Sequence, residues 1–533
     1  MTRPLLSSSP AYCKCPKMVL LNFTPSISST SFILLSALFF NAVFYVYWQL
    51  TVGARRRRVI KQHGCKPIKT RAELNPWKDS LFGWTHLFWN QRAAKQHKLL
   101  ENTRKRYLQH GYTFQLKIGF ANIIFTIEPE NVKAMLATKF NDWNLPDRRK
   151  AAFEPLLGRG IFTNDGGAWQ HSRELLRPNF VRNQVADIAA FETHLKHLIQ
   201  AIPRDGSTVD LRELFYRLTI DSATEFLFGE STNCLAPGAS AQATKFADAF
   251  DRSQEAAASA SRDLPILAKL FPRSSISKDI KYAHEFVDHY VKLGLEWQKK
   301  QDVEKSVSTD GERYIFLYEL AKSIQDPVRI RSELLNVLLA GRDTTASLLS
   351  NVWFILAKRS DVWVKLRREV DALNGEQPTF EQIKDMKYLK YVINETLRLH
   401  PVVPFNTRMS IADTVLPRGG GPDGSSPIFI PANTTVGWNL YAMHRREDLF
   451  GKDAEDFKPE RWETLRAGWE YLPFNGGPRI CIGQQYALTE ASYTTIRLMQ
   501  EYKKVESRDP GPWTECISIT TSGQATKVSL TPA

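Results

Sequence analysis

Phe474-Asn475-Gly476-Gly477-Pro478-Arg479-Ile480-Cys481-Ile482-Gly483 is the stretch that decides how this 533-residue sequence is read. Glycines on both sides of a single cysteine let the backbone turn tightly and let something bulky approach it. Beyond Gly483, Leu488, Ala491, Thr495, Leu498 and Tyr502 recur with helical spacing, so a helix is predicted to begin there. A cysteine just ahead of a helix N-terminus faces unpaired N–H groups and the positive end of the dipole, which favours the thiolate. A thiolate fixed in this way suits an iron ligand whose electron push promotes O–O cleavage. Arg479, two residues earlier, can pair with an anionic edge of the group so bound.

Upstream, the clearest helix is predicted over Pro327–Arg359, with Asp326 as its cap and Pro327 in its first turn. Val337, Leu338, Leu348, Leu349, Val352 and Ile355 make it apolar on several sides, as in a strut crossing a whole domain. Its middle reads Ala340-Gly341-Arg342-Asp343-Thr344-Thr345. Glycine costs about 1 kcal/mol in a helix interior, and a buried aspartate costs more unless partnered. Local rules broken at one point of a central helix suggest a functional site.

The remainder is ordinary globular sequence, 43% hydrophobic and 24% charged. The 71 Lys+Arg against 56 Asp+Glu give +15, but the basic residues are scattered and no nucleic-acid module is present, so an acidic protein or membrane surface is the expected partner. Six cysteines form neither a disulfide framework nor a CxxC pattern. Helical periodicity dominates. Short β-like stretches stand at Thr113–Ile118 and Ile123–Ile127, and a Gly/Pro/Ser-rich insert at Pro417–Pro427 reads as a hairpin-like loop. The expectation is one large, mainly α domain with a minor β portion over residues 70–533.

No charge occurs between Lys17 and Arg55, and residues 31–52 are nearly all apolar, about the 20 residues a bilayer core requires. Arg55 to Arg58 and Lys61 follow at once. The positive-inside bias therefore places the C-terminal body in the cytoplasm. Residues 1–30 are expected to be lumenal, 31–52 a single transmembrane anchor and 53–69 a basic linker. A cleaved signal peptide is disfavoured by the length and late start of the apolar run. Asn22-Phe23-Thr24 is a weak glycosylation sequon because Pro25 follows.

Phe474, Gly477, Arg479, Cys481 and Gly483 match all five fixed positions of the haem-binding signature of cytochromes P450, a coincidence of chance on the order of one in ten thousand. The Ala340–Thr345 segment resembles the family's oxygen-activation stretch. Glu395-Thr396-Leu397-Arg398 matches its Glu-x-x-Arg motif, and Phe457–Arg461 the segment supplying a second arginine. Trp169 and Arg173 match its Trp-x-x-x-Arg pair, and Arg408 falls where a haem-contacting arginine follows. The resemblance covers residues 70 to 530 and implies the cytochrome P450 fold with an N-terminal transmembrane helix. By resemblance, Cys481 is the axial ligand of haem b, and Phe474 belongs to the haem-binding loop. Arg479, Trp169, Arg173 and Arg408 would hold haem propionates, and Glu395, Arg398 and Arg461 would form a structural network. Thr344 would hydrogen-bond the reacting dioxygen while Asp343 gates protons to it and pairs with a nearby base when idle.

The implied reaction inserts one atom of O2 into a substrate C–H bond. Electrons come from NADPH through cytochrome P450 reductase, with cytochrome b5 as a further candidate donor, at the endoplasmic reticulum membrane. Within the family the sequence is similar to the fungal n-alkane and fatty-acid hydroxylases at Asn164–Arg173, at Leu416–Gly424 and from Phe474 through Ser492. This implies terminal hydroxylation of a hydrophobic chain. The similarity is poorer at Gln254–Lys278, which is expected to form helices and loops over the substrate channel. Other readings are a tailoring hydroxylase or epoxidase of secondary metabolism, a non-catalytic haem carrier, and a cofactor-free membrane adaptor. Retention of Asp343 and Thr344 argues against the carrier, and the cysteine signature against the adaptor.

Overall fold

Pro327–Lys358 forms one unbroken helix of 32 residues, about 48 Å long at 1.5 Å per residue. The computed structural model describes residues 29–68, 84–118, 121–180, 188–238, 240–262, 274–304 and 314–533. The sequence explains this helix end to end. Asp326 Oδ1 accepts the Val328 N–H at 3.0 Å, and Pro327 occupies the first turn, where its missing N–H costs nothing. The helix continues straight through Gly341, and Arg342 and Asp343 are buried within it. Leu211–Phe228 lies along it, and the helices Ser274–Glu304, Lys387–Leu399 and Gln484–Glu501 pack around it. Leu338, Leu349, Val352 and Trp353 are fully buried, each such side chain contributing roughly 1.5–3 kcal/mol.

The β portion is small. A five-stranded sheet runs in the order Thr113–Ile118, Ala121–Thr126, Thr435–Asn439, Phe405–Ser410, Trp143–Asn144. Its one parallel pairing joins Ala121–Thr126 to Thr435–Asn439. Asn406 and Arg408 alternate onto the same face of their strand. The insert expected as a loop over Pro417–Pro427 is shorter than that: strand continues to Gly420 and resumes at Ser426. Tyr502, expected on the last helix, opens the strand Tyr502–Ser507 instead, because that helix stops at Glu501 and Tyr502 takes extended angles.

The chain divides after Gln62 into two compact units. In the first, helix runs from Ser29 to Trp48, through a π-turn at Gln49–Gly53, and on from Ala54 to Gln62. Phe32–Gln62 is long and apolar enough to cross a membrane by length and composition. Asn41 Nδ2 donates to Ala37 O at 2.7 Å, so its amide is partly satisfied inside its own helix. The stretch 53–69 expected as a linker is therefore helical as far as Gln62. Arg57 folds back to donate to Gln49 Oε1 at 2.7 Å and Gln49 O at 2.9 Å, which stabilises that continuation. Asn22 and the rest of 1–28 lie outside the described residues.

Candidate active site

The Cys481 loop is closed by its own backbone. Cys481 N–H donates to Phe474 O at 3.0 Å and Ile480 N–H to Gly477 O at 3.0 Å, while Arg173 Nη1 donates to Ile480 O at 2.9 Å. Gly477 is required here. Its φ is +66°, and a Cβ would sit 1.9 Å from Leu136 O. The helix Gln484–Glu501 starts immediately after Gly483, as the sequence predicts. The surface Cys481 exposes is cavity surface. The surrounding protein pushes its thiol up to about 11, against the pull of the Gly483 N–H and Arg173.

That cavity has a volume of about 310 Å³. It brings together Cys481, Phe474, Arg479, Trp169, Arg173, Arg408, Asp343 and Thr344 from distant parts of the sequence. Elsewhere its wall is mostly apolar, with Phe153, Leu157, Ile161, Phe162, Val402 and Val403 among the lining residues. Gly341 also lines it, and a Cβ there would meet nothing closer than Ala223 Cβ at 4.0 Å.

One part of the wall carries surplus positive charge. Arg479 lies 4.5 Å over the Trp169 ring, with Arg173 5.9 Å from it. Arg408, 3% exposed, donates to Asn406 Oδ1 at 3.2 Å and Thr407 O at 2.8 Å. Arg149, which sequence reasoning missed, donates to the same Asn406 Oδ1 at 3.0 Å. Among the described residues the one carboxylate bonded to this group is Asp165, 2.7 Å from Arg479 and 3.3 Å from Lys150. Burial lowers the pKa of all four arginines, Arg479 to about 10. Four cations with one shared carboxylate suit a bound group carrying two carboxylates. Arg479 thus has a protein partner that the sequence did not announce. An aspartate before a helix reads as a cap, but the Asp165 side chain turns to Leu145 N–H and Arg479 instead.

On the central helix, Thr344 Oγ1 donates to Ala340 O at 2.6 Å. Asp343 Oδ1 lies 3.1 Å from Arg342 Nη1, and Arg342 in turn binds Asp251. Burial lifts the Asp343 carboxyl to about 6, with Arg342 opposing and Asp251 adding to the rise. The described parts of the poorly matching region, Gln254–Arg262 at the end of the helix Ala241–Arg262 and Ser274–Lys278 at the start of Ser274–Glu304, do not line the cavity. The helix Ala241–Arg262 packs against Asp147–Leu157, and the buried Gln254 side chain lies beside Asp343. Glu490 was also missed: buried, bonded by Ser222 Oγ and lifted by burial to about 7.

The expected structural network is present apart from the cavity. Arg398 makes two bonds to Glu395, at 2.8 and 2.9 Å, and both side chains are fully buried. Arg461 Nε, Lys458 N–H and Trp462 Nε1 complete the Glu395 carboxylate at 3.2, 2.9 and 3.0 Å.

Comparison with known proteins agrees with this geometry. The family model for cytochrome P450 matches residues 76–523. A cytochrome P450 monooxygenase, himC, of Aspergillus japonicus is 45% identical over 486 residues, covering 89% of this chain and 85% of its own. Cytochrome P450 52A13 of Debaryomyces hansenii is 45% identical over 446 residues, 80% of this chain and 85% of its own. The crystal structure of a cytochrome P450, CYP102L1, superposes with a TM-score of 0.68 at 24% identity, over 81% of this chain and 94% of that one, and shows the shared fold. The family's haem fits the residues present: a lone cysteine, an open glycine on the central helix, and an arginine cluster short of anions face one cavity. The chain therefore belongs to the cytochrome P450 family of haem-dependent monooxygenases, oxidoreductases that incorporate oxygen from O2.

Proposed function

We propose that the cavity hydroxylates a long, mostly saturated chain at or near its end, with Cys481 as the residue that would ligate the haem iron. The mostly apolar lining outside the arginine cluster is the observation that carries this reading. Each buried CH2 contributes about 0.8 kcal/mol, so a lipid binds there with few polar contacts. The resemblance to the fungal n-alkane and fatty-acid hydroxylases supports it. Labelled dodecane, laurate and palmitate, supplied with reductase and NADPH, test it. Hydroxylated product at the chain end is expected; no haem spin shift and no product from any of them would promote a tailoring enzyme acting on a ring-bearing metabolite.

When bound, haem b supplies oxygen activation and insertion into the C–H bond. The residues do the rest. Cys481 offers its sulfur from a loop locked by three hydrogen bonds. Trp169, Arg173, Arg408 and Arg479, joined by Arg149, would hold the two propionates. Phe474, packed against the core beside the loop, keeps Cys481 in place. The Thr344 hydroxyl spends its proton on Ala340 O, which leaves its lone pairs free to accept from a proton carrier in the cavity. Thr344→Ala keeps haem but loses that positioning. NADPH consumption should exceed product by about tenfold or more, read as peroxide released per NADPH; unchanged coupling removes Thr344 from the reaction.

Asp343 relays protons between Thr344 and the half-exposed Asp251, with Arg342, Gln254 and Tyr216 as the other charged or polar groups facing it. A carboxyl raised from 3.8 to about 6 holds its proton more tightly folded than unfolded, so its contribution to stability falls as pH rises across that window. Asp343→Asn, always neutral, removes this slope. Melting curves should show the variant gaining on the parent between pH 4 and 6 and keeping the gain above it.

Electrons arrive from NADPH through cytochrome P450 reductase, with cytochrome b5 as a second donor, the net charge of +15 favouring an acidic partner. The Phe32–Gln62 helix anchors the protein in the endoplasmic reticulum membrane with Arg55–Arg58 and the body on the cytoplasmic side. A C-terminal tag should be digested by protease added to intact microsomes; protection of the tag contradicts this orientation.

A further inference from the structure

Asn336 stands two turns before Thr344 on the central helix, at the cavity wall and with no exposed surface. Its amide has little left to offer a ligand. Nδ2 donates to Leu157 O at 3.0 Å and Ser332 O at 2.7 Å, and Oδ1 accepts the Phe162 N–H at 3.0 Å. Both donors and the acceptor are committed within the chain. What Asn336 holds is the segment from Leu157 to Thr163, which contributes Leu157, Ile161 and Phe162 to the cavity.

Other contacts tie the same segment down. Arg329 Nη1 donates to Arg159 O at 3.0 Å, and Thr163 Oγ1 donates to Gly158 O at 2.7 Å while accepting the Gly160 N–H at 2.9 Å. The approach to the helix is close enough to require glycine. A Cβ on Gly160 would lie 2.3 Å from Asn336 Nδ2, and one on Gly158 2.2 Å from Ser332 Oγ. Most connecting segments owe their mobility to backbone groups that face water. Here those groups are bonded to a buried helix.

We propose that Asn336 is a positioning residue that pins the Leu157–Thr163 segment as a rigid wall and thereby selects slender molecules over ring-bearing ones. This rests on reading the cavity as the substrate chamber. A wide molecule must displace Ile161 and Phe162, which breaks the buried hydrogen bonds that hold them; a chain slides past without doing so. With the amide removed, the wall yields and wide molecules gain.

The test uses the full-length, haem-loaded protein. Imidazole and a triaryl-substituted imidazole are titrated by the shift of haem absorption, with palmitate as the slender lipid. Asn336→Ala, its thiolate-type CO band intact, should tighten the triaryl probe about tenfold relative to imidazole. Gly160→Ala, which presses on the same contact, should move the ratio in the same direction. A ratio unchanged in both variants overturns the proposal. Should neither variant fold, hydrogen exchange in the unmutated protein decides: a Phe162 amide as protected as the central helix upholds the pin, and one exchanging as freely as an exposed loop overturns it. A shifted ratio without palmitate binding leaves Asn336 in its role and removes the lipid reading. Palmitate binding with an unshifted ratio does the reverse.

Discussion

Cys481→Ala protein is expected to give no thiolate-type spectrum with CO and no hydroxylated product. The reason is local. Of the described cysteines, Cys65, Cys234 and Cys516 stand away from the cavity lining, and only Cys481 is held on it by a loop built for close approach. Alanine leaves the backbone bonds from Cys481 N–H and Ile480 N–H intact, so the fold should survive while the sulfur is gone. Substitution of Cys65, Cys234 or Cys516 should leave the spectrum unchanged. Persistence of the thiolate-type band in Cys481→Ala would show that another sulfur is the ligand.

Glu395→Ala should be the most damaging change outside the cavity. It removes the one carboxylate bonded to Arg398, a fully buried cation, among the described residues, and also strips Arg461, the Lys458 N–H and Trp462 Nε1 of a partner. The remaining bonds of Arg398, to the carbonyls of His444, Ala454 and Asp456, do not neutralise its charge. Breaking a buried pair from one side costs about 3–5 kcal/mol, a large share of the roughly 5–15 kcal/mol that keeps a domain folded. The yield of haem-loaded protein should collapse. Glu460→Gln, which breaks a partly exposed pair with Lys365, should cost about 1 kcal/mol or less and serves as the control. A Glu395→Ala protein recovered at the parent's yield and melting temperature would mean the network is dispensable.

The pattern of legibility follows from the physics of each element. The cysteine loop was readable because tight turning and close approach leave few residue types that fit, and Gly477 beneath Leu136 O shows the constraint. The central helix was readable because its cap and apolar faces are local signals, and its bounds differ by one residue. Arg149 and Asn406 were not readable. Each is a single polar residue whose meaning comes from a strand and a helix meeting 257 positions apart. Asp165 was not readable either: it stands before a helix, but its carboxylate is taken up by Arg479, 314 positions away, and caps nothing. Tyr502 kept the helical period for one residue past the true end, where extended angles start a strand. Gln254–Lys278 resembles the family least, and its described residues do not line the cavity, although Gln254 lies beside Asp343, which does.

The central claim is that Cys481 binds haem iron as a thiolate inside this cavity, and the absorption spectrum of the reduced, CO-bound, full-length protein tests it most directly. The account predicts the strongly red-shifted Soret band of a thiolate-ligated haem in the unmodified protein. A band at the position given by histidine or thiol ligation, or no haem spectrum at all from folded protein, would contradict it.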